Sequence, residues 1–154
     1  VEHSANVGAL EASYRAQISG VIELETLTVD ALVPTGSRPT SVPADATAAD
    51  VRRASARSGH LRILVQNGSV VPKVVHVRDT LLEPDDRLAK ELARPGFVLE
   101  SGTTVHAALA RMRESSEQLA VVMDGERFVG VVTLADVLRR ILPHPEDPVP
   151  VLVG

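Results

Sequence analysis

The chain repeats itself. Asn67-Gly68 is answered 57 residues later by Asp124-Gly125, Val74-Val75 by Val131-Val132, Asp79 by Asp136, and Leu81 by Leu138. The register runs without a gap from Ser41–Leu81 onto Val98–Leu138. A repeat of this length specifies two similar modules. Such modules commonly pack about a pseudo-twofold axis, which leaves two equivalent clefts between them. Clefts at such a junction are where small ligands usually sit.

Each copy reads as strand, helix, strand, strand, helix. In the first, Ser41-Val42 is a short strand, Thr47 opens an Ala- and Arg-rich helix to about Ser58, Arg62–Gln66 and Val70–Val75 are strands joined at Asn67-Gly68, and Val77–Leu82 starts a short helix. In the second, Phe97–Leu99 is a strand and Val105, Leu109 and Met112 form the inner face of a helix. Leu119–Met123 and Phe128–Val132 are strands about Asp124-Gly125, and Leu134–Leu142 is the closing helix. The strands are continuous Val/Ile/Leu runs, so both sheet faces are expected to be covered. Ahead of the repeat, Leu10, Tyr14, Ile18 and Ile22 fall four apart and predict a helix over 8–25. The resulting plan is α/β (α+β): an N-terminal connector helix in 1–30, a first module at 31–82, a charged linker at 83–96, a second module at 97–142 and a Pro-rich exit at 143–154.

Composition narrows the function. Aromatic residues make up 2% of the chain and the formal net charge is −4, which leaves neither stacking platforms nor a basic face for nucleic acid. There is no Cys, hence no thiolate metal site or nucleophile. The histidines lack ligand spacing, and no metal site is expected. No apolar run reaches the ~18 residues of a membrane span. The start at Val1 and the apolar Val151-Leu152-Val153 end suggest a piece of something longer. No triad or Gly-rich phosphate loop appears, so an enzyme is not expected.

The run Phe128-Val129-Gly130-Val131-Val132-Thr133-Leu134-Ala135-Asp136-Val137 resembles the end of a CBS (cystathionine β-synthase) domain, and the two copies together resemble a CBS pair, or Bateman module, over residues 31–142. More narrowly, the chain resembles the CBS pair of the CorC/CNNM-type membrane proteins, a magnesium/cobalt efflux and hemolysin-related family. The points of likeness are the helix at 8–25, Val74-Val75-His76-Val77-Arg78-Asp79, and Gly130-Val131-Val132-Thr133-Leu134-Ala135-Asp136. The resemblance implies a regulatory, non-catalytic pair that binds an adenine nucleotide (AMP, ADP or ATP, with or without Mg2+) in a cleft. It further implies a homodimer, and a cytoplasmic placement beside the membrane domain of a parent protein. The second reading is a degenerate pair that only holds a dimer together without ligand.

By the same resemblance, Asp136 would accept from the ribose hydroxyls, Thr133 would add a hydroxyl contact, and Gly130 would allow close approach. Arg62 would grip the phosphates, and Val33 would lie at the adenine edge. Asp79 and His76 would be the first-module counterparts of Asp136 and Thr133. The family pattern is broken at Val33, Leu64, Ala135, Lys73 and His76, which weakens the first-module half-site. Thr133-x-x-Asp136 is equally a helix N-terminus signature, a hydroxyl cap with an acid three residues on. Both roles remain open on the sequence.

Overall fold

The computed structural model describes residues 26–35 and 38–142; the expected helix at 8–25 and the exit segment at 143–154 lie outside them. Two sheets carry the fold. The first contains β1 (Ser41–Val42), β2 (Arg62–Val65), β3 (Lys73–His76) and β4 (Arg94–Pro95), in that order. The second contains β5 (Val98–Glu100), β6 (Leu119–Asp124) and β7 (Arg127–Thr133). Helices α1 (Ala48–Ser58) and α3 (Val105–Glu114) are the crossovers from β1 to β2 and from β5 to β6, both of which are parallel pairs. A 3-10 turn at Val77–Thr80 closes the first module and α4 (Leu134–Ile141) closes the second.

The repeat is reproduced residue by residue. Arg62 pairs with His76 as Leu119 pairs with Thr133, and Val65 pairs with Lys73 as Val122 pairs with Gly130. Helix starts follow local chemistry. The Thr47 hydroxyl accepts from the Asp50 N–H while the Asp50 carboxylate accepts from the Thr47 N–H, a complete capping box. Thr104 caps α3 through the Ala107 N–H, where no acid stands at the third position. Gly59, in the left-handed region at φ 77°, ends α1.

Both faces of each sheet are covered, as the apolar runs require. Under α1 lie Val42, Val51, Ile63, Val65 and Val75. Under α3 and α4 lie Leu99, Val105, Met112, Val122 and Val132. The two sheets meet through Leu64 and Val74 on one side and Val121 and Met123 on the other, all 5% exposed or less. Alternate residues of one strand thus serve the module core and the seam between modules.

Two expectations need correction. The third strand of the first module, β3, begins at Lys73, not at Val70. Pro72 has no N–H to offer a ladder, and Asn67–Pro72 forms a loop instead of a tight hairpin. The segment 83–96 is also more than a charged connector. It holds a short helix, α2 (Ala89–Leu92), and β4. Ala89 is fully buried, and its N–H donates to the Ala46 carbonyl at 2.8 Å, docking the segment on the first module.

The mirror contact lies on the other side. Val29, fully buried in a 3-10 turn (Val29–Leu32), donates its N–H to the Thr103 carbonyl at 2.8 Å and packs with Leu99 and Val105. Each module's lead-in segment therefore lies on the other module. The bridges Thr28–Thr104 and Thr47–Leu88 pin the two crossings.

Candidate functional site

A cleft of about 310 Å3 opens where the modules meet. From the first module it is lined by Thr40, His60, Arg62 and Leu64, and from the second by Leu119, Val131, Thr133 and Ala135. Leu64, Leu119 and Val131 give it an apolar floor that continues the seam. The ends of β2 and β7 put Arg62 and Thr133 on one opening. The volume is at the lower end of small-ligand sites, about 300–1,000 Å3. A larger opening of about 550 Å3 around Arg38, Asn67, Val70 and Phe128 contains no predicted site residue and sits on the loop that replaces the expected hairpin.

Thr133 caps α4: its hydroxyl oxygen accepts from the Asp136 N–H at 3.1 Å, and its N–H donates to Asp136 Oδ2 at 2.9 Å. Asp136 Oδ1 faces Arg139 at 3.4 Å. The helix-start reading of this motif is therefore present in the structure. It leaves the Thr133 hydroxyl proton free to donate and commits one Asp136 oxygen to the cap. Asp136 itself is not a lining residue of the cleft; it follows Ala135, which is.

Gly130 and Val33 meet each other. A Cβ on Gly130 would lie 2.5 Å from Val33 Cγ1, so the missing side chain makes room for the lead-in segment rather than opening onto the 310 Å3 cleft. Asp79 is tied to Arg94 at 2.7 Å. His76 lies in a second cleft, of about 220 Å3, which also includes Arg62. Burial first, and then the Arg62, Arg94 and Arg78 guanidiniums, hold its imidazole below the ordinary value; Asp79 opposes them. The sequence reading missed His60, whose Nδ1 lies 2.7 Å from the Thr40 hydroxyl. Its place between the glycine that ends α1 and Arg62 was the available signal. Among the described residues no cluster of three or more His, Asp or Glu could hold a metal ion, and no helix is long and apolar enough to cross a membrane.

Two sheets facing across a seam, two matching clefts and exchanged lead-in segments define a duplicated module of the tandem CBS type. Residues 89–143 match the family model of the CBS domain. In fold it is similar to the CBS domain of a bacterial CNNM/CorC family Mg2+ transporter solved in complex with ATP, at TM-score 0.72 and 22% identity, covering 84% of this chain and 96% of that one. It is also similar to a CBS domain protein of Pyrobaculum aerophilum complexed with AMP, at TM-score 0.63 and 22% identity over 75% of this chain and 98% of that one. A hemolysin-like protein of Oenococcus oeni that contains a CBS domain gives TM-score 0.69 at 14% identity, over 82% and 98%. No curated protein matches the chain in sequence.

Proposed function

We propose that this CBS pair is the regulatory, non-catalytic part of a CorC-like membrane protein and senses an adenine nucleotide in the 310 Å3 cleft. The observation that carries the reading is the convergence of Arg62 from one module and Thr133 from the other on a single opening with an apolar floor. The base takes the floor of Leu64, Leu119 and Val131. The Arg62 guanidinium takes phosphate oxygens in a bidentate fork. The ribose hydroxyls take the Thr133 proton; Asp136, which does not line the cleft, takes part only if its Oδ1 gives up the 3.4 Å contact to Arg139. Such a ligand touches both modules at once, so it favours the arrangement in which they are closed on each other. Likeness to structures solved with ATP and AMP supports the ligand class.

A homodimer belongs to the same reading. Leu81, Leu82, Leu138 and Leu142 are exposed at the closing turn of the first module and the closing helix of the second, and Leu81 and Leu138 are repeat equivalents. These side chains suit a second copy.

Thermal melting with AMP, ADP, ATP and ATP with Mg2+ tests the proposal. A ligand at 100 times its Kd adds about 2.7 kcal/mol, a rise of about 5–10 °C in Tm for a chain this size. Arg62→Gln should remove most of that rise. No rise with any of the four would leave the ligand-free dimerisation reading in its place.

A further inference from the structure

The second cleft is the repeat counterpart of the first, yet its chemistry is different. Val74 stands where the first has Val131, His76 where it has Thr133, and Arg78 where it has Ala135. A hydroxyl and a methyl have become an imidazole and a guanidinium. Arg94 adds a further guanidinium from β4, a strand with no counterpart in the other sheet among the described residues.

Two carboxylates stand nearby. Glu117 lines the cleft, and Asp79 is held by Arg94 at 2.7 Å. The guanidiniums of Arg62 and Arg78 have no hydrogen-bonded or ion-paired partner among the described residues. Three guanidiniums beside one imidazole in about 220 Å3 are a concentration of like charge that a bound anion relieves. Burial first, and only then these same guanidiniums, hold the His76 imidazole below its ordinary value.

We infer that this second cleft binds a compact phosphate anion, pyrophosphate or inorganic phosphate, on Arg78 and Arg94, with Arg62, which borders both clefts, completing the cradle when no nucleotide holds it in the first. The planar fork of each guanidinium matches phosphate oxygens in pairs. A nucleoside fits the same place poorly. The carboxylate equivalent to Asp136 is occupied by Arg94, no hydroxyl stands at position 76, and the space is below the usual small-ligand range of about 300–1,000 Å3. The inference does not require that the first cleft bind a nucleotide.

Calorimetric titration of the full chain with sodium pyrophosphate tests it, with AMP as the arm that separates a free phosphate from one carried by a nucleoside. Arg78 is exposed, so Arg78→Gln leaves the core intact. The wild type should bind pyrophosphate, and Arg78→Gln should weaken it at least about tenfold, the scale of one hydrogen bond to a charged group. Asp136→Asn should leave pyrophosphate binding unchanged, and Arg78→Gln should leave AMP binding unchanged. Pyrophosphate binding without AMP binding, still dependent on Arg78, supports this cleft while removing the nucleotide proposal. No wild-type binding up to about 10 mM, or equal binding by Arg78→Gln, overturns the inference.

Discussion

Gly130→Ala is the sharpest single-atom test of how the modules are joined. The added Cβ would sit 2.5 Å from Val33 Cγ1 and 3.6 Å from both Val33 Cβ and Cγ2. That is well inside van der Waals contact, so Val33 must move. It has little room, because it packs against the core cluster built on Leu99 and Val105. Overpacking of this kind costs about 1–3 kcal/mol. The lower entropy of Ala in an extended strand returns about 0.5–1 kcal/mol. A 2.5 Å approach belongs in the upper half of that range, so a net loss of roughly 1–2.5 kcal/mol should lower Tm by about 2–10 °C. The loss should reside in the Val33 contact, so Val33→Ala, which removes both Cγ methyls, should restore much of it. In a urea-melt cycle of the two single variants and the double variant, we expect a coupling of about 0.5–3 kcal/mol. Strict additivity, or a Gly130→Ala protein as stable as the parent, would refute the account of how the lead-in segment docks.

Three further outcomes follow from named contacts. Thr47→Ala removes the cap of α1 and should cost about 1 kcal/mol in urea denaturation; an unchanged midpoint would show that the Asp50 half of the box suffices. His76→Gln should flatten the fall in urea midpoint between about pH 7.5 and 5.5. The folded imidazole lies below its ordinary 6.5, so the unfolded chain is protonated first, and the stability from this site is whole above that value and lost as pH falls toward the folded one. A variant with the wild-type slope would take His76 out of the acid response. Breaking the Asp79–Arg94 pair with Asp79→Asn should cost no more than about 1 kcal/mol, since both partners are partly solvated, and should tighten pyrophosphate binding by freeing Arg94; weaker binding would mean that Asp79 serves the cleft.

Much of the fold was legible because the repeat is encoded in strong local signals. Thr133 with an acid three residues on, and Thr47 opening a helix to about Ser58, mark helix ends that the structure reproduces. What stayed hidden was long-range. Ala89 answers Val29 at a spacing of 60 rather than 57, in segments too short and too mixed in polarity to show a period, so their exchange was invisible. Pro72 shortened β3 against the pull of Val70 and Val71. At the site, the types Arg62 and Thr133 were readable, and the structure puts both on one cleft. That Gly130 faces Val33, and that Asp79 is spent on Arg94, depended on contacts no local pattern carries.

Because residues 27–33 rest on the later half of the chain, and residues 87–95 on the earlier half, neither half is whole when severed from its sibling. The crossing has a mechanical result too. A tug arriving through the backbone ahead of residue 26 is felt first at Thr103 and Gly130, in the half more distant along the chain. A message from upstream would thus bypass the adjoining half and reach the floor strand β7 directly.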